Sequence, residues 1–287
     1  MKAAVDLIFA VYDNLKFQQL KKEKIMKAKE VLITIFVITV LVTMLWQTDT
    51  ARSQVVTDGL LSYWTFDKGD IDGETVRDIV GGRDATIVGG DLNVVEGKFG
   101  NALHFDGNDY LEYDISGLPE GKAERTMSAW VYPEGDGVRS VIEWGARVAT
   151  NRCSILVLAG NRIKFCGQNA DLATGEAIPA EEWSLITETY DGATIRIYFD
   201  DRLVSSQAIA IDTKLEGAAK KSYGRIGANV EVTPGEFMRG RIDSPSIYDR
   251  MLDDDEVVQN FEAGPLDLAV DAAGKLALTW GAIKVSR

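Results

Sequence analysis

With one histidine and two cysteines in 287 residues, the chain has few groups able to act as nucleophile, neutral-pH base or zinc ligand. His104 stands alone in Ala102-Leu-His-Phe-Asp106, so neither a His-rich zinc site nor a Ser-His-Asp triad follows from it. Alternation places Leu103 and Phe105 on one side of an extended segment and His104 on the other, as a surface imidazole. Oxygen donors are plentiful, with 44 Asp and Glu. Calcium takes six to eight oxygen ligands from carboxylates, amides and backbone, and it is the ion that acidic loop tips suit. Asp106-Gly-Asn-Asp109 offers Asp106, Asn108 and Asp109 on one turn, either as cation ligands or as the side chains of an Asx-turn. Asp70-Ile-Asp-Gly-Glu74 lacks the ligand spacing and flanking helices of an EF-hand and reads as a solvated loop. Cys153 and Cys166 flank a segment that reads as a hairpin turning at Gly160-Asn161. That turn offsets the sulfurs by about one pleat, a demanding geometry for a bridge, so a Cys153–Cys166 disulfide and two half-buried thiols both stay open.

Charge excludes one class of partner. The net charge is −13, and residues 54–287 carry 23 Lys and Arg against 39 Asp and Glu. Neutralising phosphates requires clustered cations, so nucleic acid is not an expected partner. The amino terminus carries targeting features. Val31 to Trp46 is an apolar run interrupted only by Thr, flanked by Lys27 and Lys29 before it and by Ala51-Arg-Ser53 after it. At ~1.5 Å per residue it reaches roughly 24 Å, short of a ~30 Å hydrocarbon core. A signal peptide over 26–53, cleaved before Gln54, fits that length, with an uncleaved membrane anchor over 31–46 as the alternative. Residues 1–25 form an upstream extension, and Met26 reads as the translation start. If that extension is made, Val5, Ile8, Phe9, Tyr12 and Leu15 at helical spacing, followed by Lys21, Lys22 and Lys24, suit a membrane-surface helix.

From Leu60 onward, short apolar or alternating runs are separated by Gly, Asn and Asp. Twelve strands are expected: 60–66, 101–105, 110–113, 126–132, 138–144, 153–158, 162–166, 183–190, 194–199, 202–210, 222–227 and 237–248. That many strands divide into two stacked sheets. Between Met127 and Tyr132 both faces carry apolar side chains, so this strand is expected to be central, with Trp130 packed under a second cover. One helix is expected at Asp253 to Phe261, capped by Asp253, with acids in its first turn and Gly264-Pro265 at its end. Residues 265–287 read as a tail with a possible hairpin.

Five phrases in order resemble one family. They are Gly59-Leu-Leu-Ser-Tyr-Trp-Thr-Phe-Asp67, Gly97-Lys-Phe-Gly-Asn-Ala-Leu-His-Phe-Asp-Gly-Asn-Asp-Tyr110, Arg125-Thr-Met-Ser-Ala-Trp-Val131, Glu182-Trp-Ser-Leu-Ile-Thr-Glu-Thr-Tyr-Asp-Gly192, and the run from Arg239 to Glu256. Together they resemble the laminin G-like, concanavalin A-like jelly-roll family. The resemblance implies an all-β, two-sheet antiparallel sandwich over 59–264, secreted or held at the cell surface. It implies recognition of a carbohydrate or protein ligand through strand-connecting loops, and a structural calcium held by Asp67 and Asp243. Lys68 and Ser244-Pro245 depart from the family's acidic pattern, which weakens the expected ion site. The fold also carries laminarinase-type glycoside hydrolases, whose Glu-x-Asp-x-(x-)Glu strand motif is absent here. A binding module is therefore expected, with a glycoside hydrolase or lyase as the rival and a purely structural surface module as a third reading.

Overall fold

The computed structural model describes residues 15–24, 26–27, 29, 31–36, 54–90, 92–215, 223–231 and 236–266. The chain divides into two units, Met1–Arg52 and Ser53–Arg287. In the first, residues 15–24 and 31–36 are helical, and among the described residues no helix is long and apolar enough to cross a membrane. Most of the apolar run, the expected cleavage point at Ser53 and nearly all of the expected tail hairpin lie outside the described residues.

The second unit is a sandwich of two antiparallel sheets. In the first sheet, β15 (Arg202–Ala208), β14 (Thr194–Phe199), β13 (Ser184–Tyr190), β8 (Arg125–Pro133), β17 (Arg239–Tyr248), β6 (Asn101–Asp106) and β5 (Asn93–Glu96) lie in that order. A further strand, β1 (Leu60–Tyr63), also pairs with β17. The second sheet runs β12 (Asp171–Ala177), β11 (Arg162–Cys166), β10 (Arg152–Val157), β9 (Arg139–Gly145), β16 (Tyr223–Ile226), β7 (Tyr110–Asp114), β4 (Ala85–Val88), β3 (Thr75–Val76) and β2 (Ile71–Asp72). Five of these were not expected: β2, β3, β4, β5 and β12. The segment Asp70 to Glu74, read as a solvated loop, instead contributes β2 and the turn of the β2–β3 edge hairpin. Two-residue strands leave no alternation to read, and β12 carries Gly175 in a run poor in β-branched residues.

Period-two alternation sends Met127, Ala129 and Val131 of β8 inward, against Ile142, Ile155 and Phe165 of the second sheet. The opposite face of β8 is covered too. Helix α1 (Asp254–Glu262) lies there and helps build a second apolar cluster from Val56, Tyr63, Tyr198, Tyr248, Leu252 and Val257. Trp130 packs on this side against Phe261, Phe99 and the Lys98 ammonium, which sits 4.2 Å from its ring centre. The remaining space beside it, about 20 Å³, admits little more than a water molecule, so Trp130 is a packing residue. The helix starts where the sequence places it. Asp253 accepts from Glu256 N at 2.9 Å, and Glu256 answers through the Asp253 amide at 3.1 Å.

Several buried side chains hold polar atoms that lack hydrogen-bond partners, and among the described residues Glu188 is the acid in that group. Glu188, between Met127 and Ile197 on the inward side of β13, is 2% exposed, and neither carboxyl oxygen has a hydrogen-bond partner. Burial alone drives its pKa well above the ordinary 4.5. A raised carboxyl pKa means that the folded state holds a proton which the unfolded chain has released. The associated stability is therefore complete below about pH 4.5 and declines as pH rises toward the folded value, by up to ~1.4 kcal/mol per pH unit. Glu188→Met should raise unfolding stability at pH 7 by about 1–3 kcal/mol and flatten this pH dependence. Urea titrations at pH 5 and pH 8 check this, and a variant less stable than the parent at both would contradict it.

Candidate functional site

Asp67 and Asp243 come together at the Gly97–Asn101 turn. Strand β17 is broken by a bulge between Asp243 and Ser246, where Ser244 takes a left-handed φ of 51° and Pro245 gives its carbonyl to Trp64 N at 3.1 Å. The bulge explains how a proline sits within a central strand. It also aims the fully buried Asp243 at the turn, where Oδ2 accepts from Phe99 N at 2.9 Å and Oδ1 from Ser244 Oγ at 2.9 Å. Asp67 Oδ1 accepts from Asn101 N at 2.7 Å. Gly97 and Gly100 permit this approach, since a Cβ at Gly97 would stand 2.7 Å from Asp243 Oδ2 and one at Gly100 would collide with Asp67. Burial pushes the Asp243 carboxyl up to about 7, with backbone N–H donors pulling it back and the Asp67 charge adding to the rise. Two carboxylates thus converge, but no third acid, His or Cys joins a metal-holding cluster among the described residues.

The other expected sites take local forms. Asp106 Oδ1 accepts from Asn108 N at 3.0 Å, and Asp109, turned inward, accepts from Asp106 N at 3.3 Å, which is the Asx-turn geometry. His104 faces outward and meets Glu134 Oε2 at 2.9 Å. Cys153 and Cys166 form no disulfide; both are free and buried. They belong to opposite faces of the second sheet: Cys153 Sγ lies in the core 3.9 Å from Met127 Sδ, whereas Cys166 Sγ accepts from Arg152 Nη1 on the outer face at 3.7 Å. Residue 155 pairs with 165, so the two cysteines have opposite parity and no side-chain rotation joins them.

The outer face of the second sheet carries a charge network that sequence reading missed. Glu143, at the middle of the sheet, is fully buried. Its Oε2 accepts from Ser140 Oγ and Ser154 Oγ, each at 2.8 Å, and from Arg152 Nε and Nη2 at 3.2 and 2.5 Å; its Oε1 accepts from Val230 N. Arg152 Nη2 also meets Glu236 Oε2 at 2.9 Å, and Arg147 Nη2 meets Glu236 Oε1 at 3.3 Å. Burial works against the Arg152 cation, but Glu143, Cys166 and Glu236 more than offset it and raise its pKa. Beside this group Arg225 pairs with Glu112 at 2.6 Å, lies over the Tyr110 ring and donates to the carbonyl of Val230. The network therefore pins residues 229–231 and 236 across the sheet. Ser140 N to Glu236 O at 3.1 Å and Met238 N to Gly227 O at 2.7 Å fix the same segment through the backbone. A signal existed in the alternation of Arg152 and Ser154 with Cys153 and Ile155; the partners from 229–236 are too distant in sequence to be read.

The laminin G-type description of the concanavalin A-like lectin/glucanases superfamily matches residues 105–258, more than half of the chain. The chain belongs to this superfamily. The sandwich is similar to domain 4 of an extracellular arabinanase from Geobacillus stearothermophilus in complex with arabinotriose, at 22% identity and TM-score 0.55, covering 70% of this chain and 97% of that one. It is also similar to the binding domain of Paraclostridial mosquitocidal protein 1, at 14% identity and TM-score 0.51, covering 71% of this chain and 52% of that one. Trypanosoma rangeli sialidase, solved with sialic acid, aligns at 16% identity and TM-score 0.52, covering 72% of this chain and 33% of that one. The chain thus spans almost all of the arabinanase domain, about half of the toxin domain and a third of the sialidase. At such identities the likeness is one of fold. No curated protein sequence matches the chain.

Removing one partner of a buried ion pair strands the other charge, at a cost of about 3–5 kcal/mol. Arg152→Met is expected to lose that much in urea unfolding, and Glu143→Leu/Arg152→Met to recover part of it. A single-variant loss below about 1 kcal/mol would mean that the network does not hold the sheet face.

Proposed function

We propose that the domain is a recognition module that binds a carbohydrate through the strand-connecting loops at one end of the sandwich, and that it works outside the cell, in keeping with the apolar run 31–46. The reading rests chiefly on the Glu143–Arg152–Glu236 network. It fixes residues 229–231 and 236 on the sheet, and residues already held in place spend little entropy when a polar ligand binds beside them. The arabinotriose complex of the similar arabinanase domain adds support from a related fold. A protein ligand is the alternative occupant of the same loops.

A glycoside hydrolase reading draws on Glu143 and Glu236, which share one nitrogen of Arg152 and so approach the ~5 Å spacing of a retaining pair. Two observations weigh against it. Arg152 stands between the two carboxylates, and Glu143 is out of solvent with both oxygens occupied by donors. A glycan array run beside a reducing-end assay tests both readings. Binding to a defined set of glycans, weakened about 10-fold or more in Glu236→Gln and without release of reducing ends, is expected. Steady release of reducing ends, abolished by Glu143→Gln, would establish the enzyme instead.

Calcium belongs to the same proposal as a structural ion. Asp67 and Asp243 would hold it, with backbone oxygens completing the shell, and the cation would supply the positive charge that the buried Asp243 and the half-buried Asp67 lack. Because Asp243 titrates near 7, the ion should stabilise the domain more at pH 8 than at pH 6. Calcium at ~100 Kd should add about 2.7 kcal/mol, or several degrees in Tm, reduced in Asp243→Asn and kept in Asp109→Asn. Identical melting curves at pH 8 in calcium and in EDTA would remove the ion from the account.

A further inference from the structure

At the loop end of the sandwich, three segments enclose an open groove of about 230 Å³. They are the β6–β7 turn at Gly107, the β8–β9 loop at Asp136 to Val138 with Arg139, and the segment Phe237 to Arg239 that leads into β17. Its charge is anomalous. Among the described residues Arg239 makes no ion pair and no side-chain hydrogen bond, although the chain as a whole is strongly acidic.

Arg139 lines the same groove and is 1% exposed. It has no carboxylate partner. Nη1 donates to the carbonyls of Glu134 and Gly135, and Nη2 to Leu158 O and Asn161 Oδ1, while Nε has no acceptor. A buried guanidinium held only by neutral acceptors, with one donor left over, is a costly arrangement unless an anion completes it. Burial lowers the Arg139 pKa, and the neighbouring Arg239 charge lowers it further while Asp136 opposes. Asp136 itself is turned to the backbone, where it accepts from Gly160 N at 3.0 Å and from the Gly137 amide.

Gly107 makes room for the second cation. A Cβ there would stand 2.8 Å from Arg239 Nε. Phe237, half-buried, offers an apolar wall, and Glu236 before it is the residue that Arg152 and Arg147 anchor. The charge network and the groove are thus linked through one short segment.

We propose that this groove binds the anionic group of an acidic saccharide, a carboxylate or a sulfate, with Arg139 and Arg239 as its two guanidinium ligands. The Arg239 guanidinium fork matches both groups, Arg139 adds its one unpaired donor, Nε, and a sugar ring can rest its apolar C–H face against Phe237. The assignment rests on the reading of the domain as a carbohydrate-recognition module and names the class of glycan.

Isothermal titration of the full chain with trigalacturonate, its methyl ester, a sulfated disaccharide and neutral arabinotriose tests it. Trigalacturonate or the sulfated disaccharide should bind, and the binding arm identifies which anion is preferred. Affinity should fall about 10-fold or more in Arg239→Gln and with added salt, and Arg139→Gln should act in the same direction. Arg202→Gln removes one positive charge elsewhere and should leave affinity unchanged. Arg239 is exposed, so its variant keeps the test valid if Arg139→Gln fails to fold. If the ester binds as tightly as the acid, or Arg239→Gln matches the parent, the anion site falls while carbohydrate recognition stands. If neither acidic ligand binds, the site falls as well, and the arabinotriose arm then reports on recognition alone.

Discussion

The sandwich closes only when its last strand is in place. Strand β17 pairs with β8 along one edge; along the other it pairs with β6 over Arg239 to Ile242 and with β1 over Ser246 to Tyr248. Four parts of the chain, beginning near residues 60, 101, 125 and 239, therefore meet in one ladder. Each of these pairings carries the loop-closure entropy of bringing distant segments together. The bulge at Asp243 belongs to this constraint. It lets β17 change partner from β6 to β1, and the carboxylate that it turns outward locks the Gly97–Asn101 turn against the strand.

Three buried acids show three ways of dealing with desolvation. Glu143 is satisfied by a cation, two hydroxyls and an amide, which together tie a distant segment to the sheet. Asp243 relies on backbone amides and one hydroxyl, with another acid close by. Glu188 has no partner at all. The first organises a surface, the second a strand junction, and the third only weakens the core. Buried charge is thus concentrated where it positions loops, with Glu188 as the exception that packing tolerates.

Much of the architecture was legible because local chemistry and tertiary structure agree. Asp253 and Glu256 announce the capping box, and the doubly apolar β8 announces a strand covered on both sides. Reading failed where a strand is too short to alternate, as in β2 and β3, or carries glycine, as in β12. The convergence of Asp67 with Asp243 came from family resemblance, because nothing local in either stretch points to the other. The Glu143 network stayed hidden for a different reason. A register shift where β9 meets β10 interrupts the regular pattern, and its partners Val230 and Glu236 lie some 90 residues further along the chain.

The two cysteines carry a last consequence. Burial pushes the Cys153 thiol up to about 12 and raises that of Cys166, so neither is a ready nucleophile or an easy target for oxidation while the domain is folded. Because they look to opposite faces of one sheet, they also cannot cross-link each other in the native state. Neither thiol of the folded domain is therefore placed to act as an internal redox link. Before folding, the same two thiols are free to pair with each other or with another chain, which makes the oxidant a hazard of assembly and not a source of stability.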